Sequence, residues 1–253
     1  MPVFLVPQGQ VNDAGQVQIL DRDAWHISRS LRRRVGQLVT VVLEPGTEHD
    51  VRLLETSPDR VLGVIVGSRQ VRREPRVRLH LVQALPQGQG MASVCEQASE
   101  LGVASIWPVI CDRSVVRPGP DASRRRERHW QTVSREAAQL ALRHAVPEVM
   151  PVQPLPQALE RLGREEEALQ VLVCQVGPGP IALGSPPWDR RAPTALVVGP
   201  EGGLSPAELR LLQSRGYQSV SLGPRTLRTS LAGTVALTLL LARAGEMELV
   251  DSQ

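Results

Sequence analysis

A chain of 253 residues, 42% hydrophobic and 22% charged, has room and composition for one large folded domain or two smaller ones, which excludes disorder as a whole-chain state. No run approaches eighteen apolar residues without a charge, and the opening MPVFLVPQGQ lacks the basic region and long apolar stretch of a secretory signal; neither a membrane span nor an export leader is expected. The net charge of +3 is carried without lysine: all 29 Lys-or-Arg positions are arginine, which keeps its charge and grips a phosphate with two parallel hydrogen bonds.

The first seventy residues contain five short branched or apolar runs, VFLV, VQIL, LVTVV, VRLLE and VLGVIVG, punctuated by Gly, Pro, Asp and Asn; they predict a small barrel or curled sheet. Between the second and third runs, residues 22–34 hold Arg22, Arg29, Arg32, Arg33 and Arg34 against the single acid Asp23. VRREPRVR, residues 71–78, is charged, contains Pro75 and reads as a linker. From His80 onward, strands alternate with helices. LHLVQAL is a strand, and Met91, Val94, Cys95, Ala98 and Leu101 follow at the steps of one helix face. SIWPVI is a strand that Pro108 marks as an edge or irregular one.

Residues 124–144 predict a longer helix with Trp130, Val133, Ala137, Leu140, Ala141 and His144 in its apolar stripe. Across 113–144, eight arginines face only Asp121, Glu127 and Glu136. Two basic regions suggest an extended polyanion as partner, with plain solvated surface as the alternative. LQVLVCQ (169–175) and ALVV (195–198) are continuous apolar runs suited to buried parallel strands, and SVSL (219–222) is a shorter one. This half is therefore α/β, with a mainly parallel sheet and helices on both faces. Cys95, Cys111 and Cys174 are odd in number and widely spaced, which argues against disulfides or a compact zinc site and for buried thiols in a reducing cytoplasm.

Two loops near the end stand out. In LVVGPEGGLS, residues 196–205, a strand ends and Gly199, Pro200, Glu201, Gly202 and Gly203 form a tight loop before a helix whose start is marked by Ser205, Pro206 and Glu208 and whose stop is Gly216. Ligands of α/β sheets bind beyond the carboxyl ends of strands, where glycines allow close approach to the backbone. The spacing fits neither a Walker loop nor a dinucleotide fingerprint, and a plain tight turn remains the other reading. SLGPRTLRTSLAG, residues 221–233, likewise leads from a strand into an apolar helix beginning near Thr229 or Ser230, with Gly223 for flexibility and Arg225 and Arg228 for cationic reach.

These loops, GPEGGLSPAE at 199–208 and LGPRTLRTSLA at 222–232, resemble those of the bacterial 16S rRNA uracil-N3 methyltransferase family of the SPOUT superfamily. So do ASELGVASIWPV (98–109), CDRSVV (111–116), HWQTVSREAAQLALRHAVPEV (129–149) and HISRSLRRRVGQ (26–37), so the resemblance spans almost the whole chain in order. It implies a PUA-like RNA-binding β domain over 1–72 and a trefoil-knotted SPOUT methyltransferase domain over 73–253, acting as a cytoplasmic homodimer on ribosomal RNA or the small ribosomal subunit, with no membrane or DNA partner. The implied cofactor is S-adenosylmethionine, wrapped by Gly199, Glu201, Gly202, Leu222, Gly223, Leu227 and Arg228, and bordered by Val173 and Cys174. Arg228 is expected to orient the acceptor or stabilise charge on a uracil oxygen, with a structural ion pair as its alternative, and Glu201 to take the N3 proton directly or through water, with plain binding of backbone amides as its alternative. Arg29, Arg32 and Arg33 are expected to hold phosphates, and Arg143 to contact RNA or the active site.

The chain departs from the family pattern at several places. The glutamate and threonine of LRTETA are Ser230 and Leu231; the glutamine of EAAEQS is Leu140, with Gln139 beside it; two lysines are Gln87 and Gln97; and the glutamate of ERS is Asp112. These changes leave open methylation of another RNA position, base or ribose 2′-hydroxyl, and a catalytically weak RNA-binding assembly factor that keeps the cofactor pocket.

Overall fold

A computed structural model describes residues 2–248 apart from Asp13, Pro178 and Pro186, and divides the chain into two units. The first runs from the N-terminus to Glu74 and includes Ala138–Ala145; the second comprises Pro75–Ala137 and the chain from Val146 onward.

In the first unit the five apolar runs become five strands: β1 (Val3–Leu5), β2 (Gln16–Leu20), β3 (Leu38–Glu44), β4 (Thr47–Thr56) and β5 (Arg60–Gln70). They form one sheet in the order β1-β3-β4-β5-β2, antiparallel except for the β1–β3 pair. Register shifts along β3–β4 and β4–β5 add twist. Alternate residues, among them Val17, Ile19, Val39, Val41, Val51 and Leu53, bury against Phe4, Ala24 and Ile27. A short helix, α1 (Asp21–Trp25), runs into a wider turn over His26–Ser30, in which the Leu31 amide donates to the His26 carbonyl.

The second unit is built on β6 (Leu79–Ala84), α2 (Gly90–Glu100), β7 (Ser105–Ile110), α3 (Pro120–Leu140), β8 (Glu148–Val149), β9 (Gln153–Pro154), α4 (Leu155–Glu165), β10 (Gln170–Cys174), β11 (Ile181–Ala182), β12 (Thr194–Val198), α5 (Pro206–Ser214), β13 (Gln218–Ser221) and α6 (Thr229–Arg243). Its sheet is parallel, ordered β11-β13-β10-β12-β6-β7-β8, with β9 also on β7. The two-residue strand period sorts its side chains into two layers. Leu81, Ile106, Leu172 and Leu196 stand abreast on one face and pack with α2, α6 and Trp130. Val82, Trp107, Val173 and Val197 face the other way, into α4 and α5. Each such side chain taken fully out of water contributes about 1.5–3 kcal/mol. Among the described residues no helix is long and apolar enough to cross a membrane.

Two expectations change. Pro108 marks an irregular strand, as one of the two readings had it, but not an edge: β7 lies inside the sheet, and the proline falls in the gap between its short partners, β8 at Ser105–Ile106 and β9 at Val109–Ile110. The missing amide therefore breaks no ladder bond. The long helix stops at Leu140, not His144; Leu142 is left-handed (φ 62) and Leu140 is 66% exposed instead of lying in the apolar stripe.

Candidate functional site

Parallel strands send all their carboxyl ends to one edge, and there the second unit opens a cavity of about 400 Å³. Its walls come from the segments after β7, β10, β12 and β13, together with the first turn of α6. The two loops singled out in the sequence are thus brought together. Of the expected cofactor residues, Cys174, Gly199, Glu201, Gly202, Leu222, Gly223 and Leu227 line this space.

The glycine loop is held from several directions. Ser205 caps α5 by accepting from the Glu208 amide, while the Glu208 carboxylate accepts from the Ser205 amide. Glu208 also accepts from the Asp112 amide, and the Ser205 hydroxyl donates to the Asp112 carboxylate. Asp112 therefore ties the loop after β7 to the glycine loop. The Glu201 carboxylate accepts from the Gln87 amide at 3.1 Å through Oε1. Gly203 takes the left-handed backbone, φ 70, that a side chain rarely adopts. At Gly199, a Cβ would stand 3.2 Å from the Leu204 side chain, tighter than ordinary contact, so a larger residue would push on Leu204. Burial pushes the Cys174 thiol up to about 12, so it stays neutral in the cavity wall.

Three assignments are corrected. Val173 is outside the wall: it precedes Cys174 by one position, so its side chain joins the opposite layer, in the α4–α5 core. Arg228 is not a lining residue either. Its carbonyl accepts from the Leu231 and Ala232 amides at the start of α6, and its exposed side chain sits between the lining positions Leu227 and Thr229. Arg143 is not a surface contact. Only 3% exposed, it holds Glu74 through Nε and Nη2, and Glu74 also accepts from the amides of His144 and Ala145. His144 Nδ1 accepts from the Gly46 amide, and its Nε2 lies 3.3 Å from Glu48, which also binds Arg69 and Arg73. Burial raises the Glu48 carboxyl, but hydrogen bonds from Arg73, His144 and Arg69 bring it below the usual carboxylate range. The buried arginine belongs to this ion network and presents no guanidinium to a polyanion.

In the first unit, Arg29 and Arg32 are exposed, Arg33 is half-buried, and Arg32 adopts φ 52 just after the wide turn. The sequence reading missed Arg113, Thr226 and Thr229 as cavity residues. Arg113 had a signal: it lies three residues past the end of SIWPVI, so the parallel-sheet rule places it at the same edge as the glycine loop.

Residues 72–241 match the family model described as an RNA methyltransferase domain. The chain is 27% identical over 232 residues to the ribosomal RNA small subunit methyltransferase E of Bacillus subtilis (strain 168), covering 90% of this chain and 91% of that protein. It is 32% identical over 238 residues to the protein of the same name from Mycobacterium bovis, covering 89% and 86%. The crystal structure of a ribosomal RNA small subunit methyltransferase E from Neisseria gonorrhoeae bound to S-adenosyl methionine is similar to it with a TM-score of 0.84 and 27% identity, over 96% of this chain and 97% of that one.

Proposed function

The chain belongs to the RNA methyltransferase family, and we propose that it transfers a methyl group from S-adenosylmethionine to N3 of a specific uridine in 16S ribosomal RNA. The observation that carries this reading is the single cavity formed by Gly199–Gly203 and Leu222–Leu227 at the carboxyl edge of the parallel sheet. The space fits a nucleoside-sized cofactor: its volume lies in the usual range for small-molecule sites, and Gly199, Gly202, Gly203 and Gly223 put backbone without side chains into its wall.

Gly199, Gly202, Leu222, Gly223 and Leu227 would hold the cofactor, with Cys174 and Glu201 bordering it. When bound, the cofactor supplies an activated methyl group on a sulfonium. The protein's task is to present an acceptor atom in line and to keep water out. N3 of uracil becomes nucleophilic when its proton leaves and the charge spreads onto the flanking carbonyl oxygens. Glu201 is assigned the proton: one of its oxygens is held by the Gln87 amide, which leaves the other to accept it directly or through water. Arg228, exposed and next in sequence to the lining residues Leu227 and Thr229, is assigned the developing charge on a uracil oxygen. The acceptor base must leave its stack to reach the cavity, which is cheaper in a loop than in a duplex.

The wider assignments are a PUA-like domain at 1–72 carrying Arg29, Arg32 and Arg33 to phosphates, a knotted methyltransferase domain at 73–253, and a homodimer. A boundary near 72 is supported by the start of the family match and by the division at Glu74. The knot is what the family resemblance implies, and the strand order, with β12 between β6 and β10, is compatible with it. A dimer is supported by Leu231 and Leu239 on α6, each 44% exposed.

Nucleoside mass spectrometry of small-subunit ribosomal RNA from cells with and without the gene tests the reaction. Loss of 3-methyluridine is expected; loss of a different methylated nucleoside would move the target, and an unchanged profile would leave only an assembly role. Calorimetry with S-adenosylmethionine tests the pocket independently, and absence of binding would overturn it.

A further inference from the structure

The cavity wall contains two guanidiniums to which the assigned chemistry gives no part. Arg113 comes from the loop after β7, and Arg225 from the loop after β13. Both are exposed, and neither has a carboxylate partner among the described residues.

Arg113 is firmly placed. Its Nη1 donates to the Gly202 carbonyl at 3.0 Å, and its side chain lies along Gly202 so closely that a Cβ there would stand 3.4 Å from Arg113 Cβ. The loop carrying it is cross-braced. Arg117 donates to the carbonyls of Cys111, Asp112 and Ser114, the Ser114 hydroxyl accepts from the Cys111 amide, and Asp112 is tied to Ser205 and Glu208. Side-chain entropy that a surface arginine normally loses on binding is therefore partly lost already, before any ligand arrives.

S-adenosylmethionine has a sulfonium, an ammonium and a carboxylate, hence a net positive charge. Two guanidiniums without a carboxylate partner beside it oppose its binding as a whole, and Glu201 is the only acid among the described residues of the wall. A polyanion approaching from solvent gains from both. Resting on the RNA-methyltransferase reading, we propose that Arg113 and Arg225 are positioning residues that hold RNA phosphates flanking the acceptor nucleotide, and that Arg113 couples this grip to the cofactor loop through the Gly202 carbonyl.

The test uses the full chain and in vitro transcribed small-subunit ribosomal RNA, with affinity measured against salt and S-adenosylmethionine binding followed in parallel by calorimetry. Each lost phosphate contact on a single strand lowers the slope of log K against log salt by about 0.7. The double variant Arg113→Gln, Arg225→Gln should therefore lose about 1.4 in slope and bind RNA roughly twentyfold more weakly at 0.1 M salt, the deficit vanishing toward 1 M. Arg113→Lys should retain the wild-type slope. Because Arg113 holds Gly202, the double variant should also lose some cofactor affinity, so the salt slope of RNA binding is the deciding readout. An unaltered slope with wild-type RNA binding intact would overturn the proposal alone. A tenfold loss of cofactor affinity with the slope unchanged would assign both guanidiniums to the cofactor carboxylate and overturn it as well. Failure of the wild type to bind either molecule would remove the underlying reading.

Discussion

Gly202 and Arg228 illustrate how differently single residues act on one site. A methyl group at Gly202 would meet Arg113 at 3.4–3.7 Å, ordinary contact, so Gly202→Ala is expected to be tolerated. Branched bulk has no such room between Arg113 and the cavity. Gly202→Val should weaken S-adenosylmethionine binding by about 2 kcal/mol, roughly thirtyfold in Kd, the usual cost of overfilling a packed site. Calorimetry on both variants checks the contrast, and equal losses would mean that the glycine is not there for space. Arg228 is exposed and does not line the wall, though it lies between the lining positions Leu227 and Thr229, which suits a group that meets the acceptor and not the donor. Arg228→Ala should lower kcat roughly a hundredfold while RNA affinity moves less than about threefold, as for removal of one charge-stabilising donor. Single-turnover kinetics with separate RNA titrations decide this; parallel losses would place Arg228 in docking.

At the scale of elements, contact distances matter more than helix propensity. Gly233 lies in the middle of α6, where alanine would ordinarily favour the helix by about 1 kcal/mol. Here its Cβ would meet Gln83 Oε1 at 2.9 Å and the Leu81 methyls at 3.1–3.2 Å. Gln83 cannot simply swing aside, because it is fully buried and its Nε2 donates to the carbonyls of Ala84 and Thr229. Overpacking of this kind costs about 1–3 kcal/mol, so Gly233→Ala should destabilise by about 1 kcal/mol despite the better helix former. Urea unfolding measures the sign, and a stabilised variant would show that α6 shifts freely on the sheet. The same scale shows what a sequence discloses. The start of α5 was readable because Ser205, Pro206 and Glu208 each act within one turn, and the sheet was readable from runs such as ALVV. The end of α3 was not. Nothing local stops ALRHA from being helical; the chain leaves the helix because Arg143 and His144 join Glu74 and Glu48, which are 69 and 96 residues away in sequence.

For the whole molecule, the lesson concerns the two ends of one sheet. The carboxyl edge was anticipated because its glycine loops are a pattern in sequence; Arg113 was overlooked although its place just past the end of a parallel strand puts it on the same edge. The amino edge left no mark in the sequence. His80, 1% exposed, binds Ser105 Oγ through Nδ1 at 2.7 Å, and Trp107 donates to the same oxygen. Burial lowers the pKa of its imidazole from 6.5 to about 4, against the pull of Glu166, whose carboxylate is 3.3 Å from Nε2. Because the folded pKa lies below the unfolded one, the unfolded chain binds the extra proton first as the solution is acidified. The neutral ring's contribution is complete above pH 6.5 and is lost as the pH falls from 6.5 to about 4, up to roughly 3 kcal/mol. Carboxylates titrate in the same range, so the informative quantity is the difference between wild type and His80→Gln. Urea midpoints at pH 7, 5.5 and 4.5 should show the wild type losing stability faster than the variant. Parallel curves would mean that the ring accepts its proton in place. Since this group lies at the opposite end of the strands from the cavity, cofactor affinity of the folded fraction at pH 5.5 should not follow the stability loss, which separates the scaffold's acid sensitivity from that of the site.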